Sequence, residues 1–325
     1  MSAPLTNKVA LVTGATRGIG KGIAIALVQS GATVYITGRS STSQTATDSI
    51  AGSLEDTQNA AKQSAGSLIA CQVDHSDDEQ VQQLFHRIKV EQHGQLDILV
   101  NNVYGGVRAL RTYQGNPFWE ADASLWDDCN NVGLRSHYIA SRLAAQLMVP
   151  RQQGLIITIS SWGGLSPIFG VAYGTGKSAC DRLAAEMAAE LKPHNITSIA
   201  LWPGIVGTEH ITELVEESSA TDDPQMAMMH TKFNWETPIF TGRVIAAIAA
   251  QPNTLPLTGK LQIVAELAAT YGIVDQENNQ PASLRSLKFL LPMLLPPLKA
   301  HTNIIPNLYV PWWILLITAL SAPRK

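Results

Sequence analysis

Thr13-Gly14-Ala15-Thr16-Arg17-Gly18-Ile19-Gly20 decides the fold. It follows an apolar run, Val9-Ala10-Leu11-Val12, and opens a segment in which Ile19, Ile23 and Leu27 recur every four residues. A short apolar run bounded by glycine reads as a buried strand, and the four-residue recurrence reads as a helix that lays one stripe on a sheet. Glycines at such a junction let backbone N–H groups approach an anion at the positive end of a helix, which is how a nucleotide pyrophosphate is held. The glycine pattern alone is a weak signal. Its place between the first strand and the first helix makes it a dinucleotide-binding motif, with Gly14, Thr16, Arg17, Gly18, Ile19 and Gly20 as its residues.

Outward from this motif the same alternation continues to about residue 265. Strand-like runs lie near Lys8–Thr13, Thr33–Thr37, Leu68–Val73, Leu96–Asn101, Leu155–Ser160, Ile196–Trp202 and Lys260–Val264, with longer helical stretches between them. That pattern specifies βαβ units: an α/β fold with a doubly wound, Rossmann-like sheet of seven parallel strands flanked by helices. A stretch rich in Ser, Thr, Gln and Ala from Ser40 to Ser53 interrupts it as a polar loop, and the next helix starts near Leu54-Glu55. Residues 1–280 are assigned to one nucleotide-binding domain that includes the active site, and residues 281–325 to a hydrophobic C-terminal extension.

Composition narrows the partners. With 23 Lys and Arg against 26 Asp and Glu the net charge is −3, so no positive field attracts phosphate backbones and nucleic acid is not an expected partner. Charged residues are 15% of the chain against a usual ~25%, which points to exposed apolar surface. Cys71, Cys129 and Cys180 are far apart and in no metal-ligand spacing, so neither a disulfide framework nor a metal site is expected, and the chain reads as reduced and cytosol-facing. The first apolar run is too short for the core of a signal peptide.

In an open parallel sheet the carboxyl ends of the strands line the ligand crevice. Asp74 stands at one such end and Asn101-Asn102 at another, although either could equally cap a helix or form a turn. Tyr173 and Lys177 lie four residues apart on one helical face, and a cation close to a phenol favours the phenolate. That spacing is poor evidence by itself. It gains weight from Ser160-Ser161, 12 to 13 residues earlier at a strand end, where a hydroxyl could bind the substrate oxygen that Tyr173 protonates.

With these motifs in order, together with Pro203-Gly204-Ile205-Val206-Gly207-Thr208, the sequence resembles the short-chain dehydrogenase/reductase family in its single-domain branch, over about residues 7–265. The resemblance implies a sheet of order 3-2-1-4-5-6-7 and a bound nicotinamide dinucleotide. It implies that Tyr173 is the acid/base, that Lys177 holds the nicotinamide ribose and favours the phenolate, and that one serine orients the carbonyl. Ser161 is preferred because Trp162-Gly163-Gly164 follows it as in the family; the commoner 13-residue distance to tyrosine would select Ser160. Asp74 would hold the adenine, Asn101 the adenosine ribose region, and Pro203, Val206 and Thr208 would flank the carboxamide. Two positions depart from the family pattern. Gly133 stands where an asparagine is usual, with Asn130 and Asn131 out of register, and Val103-Tyr104 replaces Ala-Gly.

The second strand ends in Gly38-Arg39 rather than in an acid, so no carboxylate there repels a 2′-phosphate, and Arg17 and Arg39 could flank one. NADP(H) is therefore favoured over NAD(H). The stretch Glu209–Phe240, with Met226, Met228, Met229, Phe233, Trp235 and Phe240, falls where relatives place a substrate cover. In the tail the longest clean apolar run, Trp312–Leu320, has nine residues, too few for the ~20 a spanning helix needs. Trp312, Trp313 and Tyr309 with Arg324-Lys325 suit a headgroup boundary, so the tail either attaches peripherally to a membrane or packs on its own or a partner's sheet. The function expected is NADPH-dependent reduction of a small apolar carbonyl, such as a steroid, retinoid or lipid-derived carbonyl, or oxidation of the matching alcohol. A membrane-associated NADP-binding scaffold with little turnover is the rival, and a homo-oligomer is compatible with either.

Overall fold

Both faces of the central sheet are buried, and the period of its strands shows why their sequences read as unbroken apolar runs. The computed structural model describes residues 3–42, 50–113, 116–217 and 229–321. Its strands are β1 (Val9–Val12), β2 (Thr33–Gly38), β3 (Ser67–Gln72), β4 (Ile98–Asn101), β5 (Gly154–Ile159), β6 (Ile196–Trp202), β7 (Ile205–Val206), β8 (Trp235–Glu236) and β9 (Leu261–Ile263). Seven of them pair in parallel in the order β3-β2-β1-β4-β5-β6-β9, the topology that the family resemblance implies. The short β7 and β8 form a separate two-stranded ribbon, which the sequence reading did not foresee.

Helices α1 (Gly18–Gln29), α2 (Leu54–Ala61), α3 (Asp78–Glu91), α4 (Val107–Tyr113), α5 (Ser124–Asn130), α6 (Ser136–Met148), α7 (Gly170–Leu191), α8 (Glu209–Glu217), α9 (Pro238–Ala249) and α10 (Val264–Tyr271) surround the sheet. Along β1, Ala10 and Val12 join a core with Ile23 and Leu27 of α1 and Val244 and Ile248 of α9. Val9 and Leu11 face the other way, into a core with Leu84 and Ile88 of α3 and Ala140 and Ala144 of α6. Each large side chain so buried contributes about 1.5–3 kcal/mol, which is why the alternation fixes the layers. The second helix starts at Leu54 as expected, with the Ser53 hydroxyl accepting the Asp56 N–H at 3.0 Å; residues 43–49 of the polar loop lie outside the described residues.

The C-terminal segment folds back onto this unit through α11 (Leu287–Leu294) and α12 (Trp312–Ser321). Arg285 is the clasp. Its Nε and Nη2 donate to Glu266 at 2.6 and 2.8 Å, and its Nη1 donates to the Val310 carbonyl at 3.0 Å. Its guanidinium also lies 5.1 Å from the Tyr309 ring and 5.0 Å from the Trp312 ring. Phe289 and Ile305 are buried, and Trp312 meets Trp202 edge to face at 5.9 Å. The outer side of the segment keeps Leu294, Ile304, Leu308, Trp313, Leu316 and Ile317 exposed. Among the described residues no helix is long and apolar enough to cross a membrane. Arg324 and Lys325 lie outside the described residues.

Candidate active site

The strand order reverses between β1 and β4, and at the carboxyl ends on either side of that point lies a cavity of about 1060 Å³. At the end of β1 the chain turns at Gly14 with φ +68°, and a Cβ there would come 2.7 Å from Val103 Cα, so only glycine fits. Thr16, Arg17, Gly18, Ile19 and Gly20 then line the cavity as α1 begins. The Gly18 N–H donates to Glu209 Oε2 at 2.8 Å, so a carboxylate from the first residue of α8 already sits at the helix's anion position.

Arg39, exposed at the end of β2, lines the cavity beside Asp74. Burial alone would raise the Asp74 carboxyl. The Ser76 N–H and hydroxyl, donating at 2.9 and 2.7 Å, outweigh burial together with the charge of Arg39, and hold it below the usual range. Arg17 Nη2 donates to the Gly52 carbonyl at 3.2 Å. His75 hydrogen-bonds Thr37 at 2.7 Å, and burial pushes it down to about 4, so it stays neutral.

At the end of β4 the structure parts company with the sequence expectation. Asn101 is wholly buried and its Nδ2 donates to Ser141 Oγ at 2.8 Å, while its neighbour Asn102 lines the cavity. Strand side chains alternate, so only one of the pair can face the ligand side. Asn102 Nδ2 donates to the Thr13 and Gly14 carbonyls at 3.0 and 2.8 Å, tying the glycine turn to β4.

The two serines after β5 also diverge. Ser160 is buried, with its hydroxyl donating to the Lys177 carbonyl at 3.1 Å. Ser161 is extended and caps the turn Trp162–Gly164, its Oγ accepting the Gly163 N–H at 2.9 Å. Tyr173 Oη donates to that same Ser161 Oγ at 2.8 Å. Lys177, one turn further along α7, donates from Nζ to the Ile159 carbonyl at 3.2 Å. Ser161, Tyr173 and Lys177 thus meet on one wall, with Pro203, Val206 and Thr208 also on the cavity lining.

Asn130 does not take the place that Gly133 leaves. Its Nδ2 donates to the Trp126 and Ala172 carbonyls at 3.0 and 3.3 Å, turned toward α7. Of the expected substrate cover, Met229 lines the cavity but Phe240 is core, Trp235 lies in β8, and Phe233 stacks on Phe289 at 6.3 Å. Met226 and Met228 lie outside the described residues. Apolar lining that the sequence reading missed comes from the C-terminal segment, in Leu284, Phe289, Leu290 and Met293. Their apolar run was legible, but nothing local says which wall it closes.

The short chain dehydrogenase family model matches residues 8–219. The chain belongs to this family. It is 42% identical over 319 residues to dehydrogenase/reductase SDR family member 1 of Mus musculus, covering 98% of each chain. The Homo sapiens protein of that name is 41% identical over the same length, again at 98% of each. Among solved structures, a metagenomic short-chain oxidoreductase in complex with NADP matches with a TM-score of 0.57 at 26% identity, covering 76% of this chain and 92% of that one. The family makes the protein an NAD(P)-dependent oxidoreductase acting on a small substrate. The site fits such a cofactor: the Gly18 N–H at the start of α1 already holds a carboxylate, and the cavity continues past Tyr173.

Proposed function

We propose that the protein reduces an apolar carbonyl with NADPH, or oxidises the matching alcohol, with Ser161, Tyr173 and Lys177 as the catalytic residues. The observation that carries this reading is the hydrogen bond from Tyr173 Oη to Ser161 Oγ on the cavity wall. Ser161 Oγ accepts from both Tyr173 and Gly163, so its own proton is left to donate to a substrate oxygen. That bond places the oxygen within reach of the Tyr173 hydroxyl, which gives its proton as the carbonyl is reduced, a step worth about 10²–10⁴ in rate. The Lys177 charge favours the phenolate that this transfer leaves behind. When bound, the nicotinamide supplies the hydride. Thr16 to Gly20 would hold the pyrophosphate, and Asp74 the adenine. Pro203, Val206 and Thr208 would face the carboxamide. At the end of β4, Asn102, which lines the cavity, would stand beside the adenosine ribose in place of the buried Asn101.

NADP(H) is favoured because Arg17 and Arg39 border the cavity and β2 ends without an acid. An apolar substrate is favoured by Leu110, Phe118, Leu290 and Met293 on the lining. The test is a panel of ketones, aldehydes and quinones with purified protein and NADPH, read at the nicotinamide absorbance. Turnover that vanishes in Tyr173→Phe while NADPH still binds supports the reading; tight NADPH binding with no turnover on any carbonyl returns the scaffold.

Peripheral membrane contact is the second part of the proposal, favoured by Trp313, Leu316 and Ile317 exposed together on α12. Replacing all three by Ser should release the protein from neutral liposomes at high salt. Full-length protein that stays unbound to neutral and anionic liposomes alike refutes it.

A further inference from the structure

Lys177 carries an ammonium into the interior. The residue is 8% exposed, its Nζ has the single carbonyl bond to Ile159, and no carboxylate forms an ion pair with it among the described residues. A desolvated cation needs more compensation than one hydrogen bond. What lies against it is aromatic. Nζ is 5.0 Å from the centroid of the Tyr104 ring and 5.8 Å from that of Tyr173, and the two rings meet edge to face at 5.8 Å and 88°.

Tyr104 reaches this place because of Gly133. The glycine sits at φ +150°, where the chain kinks between α5 and α6, and a Cβ there would come 2.6 Å from Tyr104 Cδ2 and 3.1 Å from Cε2. The phenol is buried against the Cys129 thiol, and burial first, then that contact, push it far above the ordinary range, so it does not ionise. The ring, not the hydroxyl, is what Tyr104 contributes. No neighbouring carboxylate reaches the ammonium as an ion pair among the described residues, although the Lys177 charge acts on Asp181 from one turn away. Asp181 accepts from Trp202 Nε1 at 2.9 Å, and burial holds the His137 ring neutral.

We propose that Tyr104 is a positioning residue whose ring face holds the Lys177 ammonium beside Tyr173, in the slot that Gly133 leaves open. This rests on the reading of Tyr173 and Lys177 as the acid/base pair. It makes the two departures at positions 104 and 133 one arrangement: removing a side chain from the kink admits a ring that carries the lysine.

The test varies the charge on the ring face at nearly constant size, with Tyr104→Phe and the same position carrying 4-fluoro-, 3,5-difluoro- and pentafluorophenylalanine. Three readings are taken: the NADPH dissociation constant by nicotinamide fluorescence, kcat on the best carbonyl of the panel, and the Lys177 Cε resonance in lysine-labelled protein, assigned by its loss in Lys177→Arg. Tyr104→Phe should stay within about twofold of the parent, keep the upfield ring-current shift of Lys177, and lose little; each added fluorine should lower kcat, to roughly 10–30-fold for the pentafluoro ring. The mono- and difluoro proteins carry the comparison if the pentafluoro protein does not fold. A flat series in all three readings overturns the proposal, as does Tyr104→Phe losing as much as the most fluorinated ring, which would give the role to the hydroxyl. If no carbonyl turns over, the activity reading fails by itself, and the Lys177 resonance and NADPH affinity still decide where the ammonium is held.

Discussion

Glu209→Gln should tighten NADPH. In the structure the Glu209 carboxylate accepts the Gly18 N–H at 2.8 Å, at the end of α1 where a pyrophosphate oxygen would sit. On binding, the carboxylate either leaves, giving up a charge-assisted bond, or stays beside a like charge. A displaced bond of this kind is worth about 1–2 kcal/mol at a half-exposed site, and two unit charges about 5 Å apart repel by roughly 1–3 kcal/mol between surface and bulk dielectric. Glutamine keeps an acceptor for Gly18 but removes the charge, so most of either cost disappears. We expect a dissociation constant lower by roughly 5–10-fold at low salt, shrinking as ionic strength rises and screening takes over. NADH carries the same pyrophosphate and should gain equally, which separates this effect from 2′-phosphate recognition. Fluorescence titration of both cofactors at two salt concentrations measures it. Equal or weaker binding in Glu209→Gln would show that the carboxylate does not compete with the phosphates.

Ser161→Ala should lower the single-turnover rate by far more than Ser160→Ala, whose hydroxyl serves the Lys177 carbonyl; a reversed order would move the substrate contact to Ser160. Arg39→Ala should weaken NADPH by roughly 5–30-fold, an exposed charge-assisted contact, and leave NADH nearly unchanged; equal losses for the two cofactors would sink the phosphate argument. Burial pushes Glu236 up to about 8 against the pull of the Gly204 N–H, so its contribution is fully present below the ordinary carboxyl range and is lost as pH rises toward 8. Melting curves should therefore show the Glu236→Gln protein gaining on the parent between about pH 5 and pH 8; parallel curves would mean that Glu236 ionises without cost.

The fold was legible because its signals are local. Each central strand is a short run whose odd and even residues both meet a helix layer, and the turn at Gly14 and the apolar stripe of α1 lie within twenty residues of each other. The β7–β8 ribbon was not legible, since two residues per strand carry no period and their pairing joins Ile205 to Trp235 across a long gap. The same divide runs through the site. Ser161, Tyr173 and Lys177 sit on adjacent elements, so spacing along the chain predicts their meeting, whereas the spacing of Asn101-Asn102 does not say which of the two lines the cavity.

What spacing could not show is how the deviant positions answer one another. Gly133 read by itself is a missing side chain, and Tyr104 read by itself is an oversized one; only packing reveals that the ring fills the space beside the glycine and that an ammonium lies over it. Glu209 is similar, an ordinary first-turn acid of α8 until the fold brings it across to α1. The C-terminal segment extends the point. Its apolar residues divide between Phe289, Leu290 and Met293 at the cavity and Trp313, Leu316 and Ile317 on the outside, and the Arg285 clasp to Glu266 and Val310 sets which residues go where. An amphipathic run announces that it will be buried. Which of its residues lines the cavity and which faces outward is fixed by long-range contacts such as this clasp, which composition does not carry.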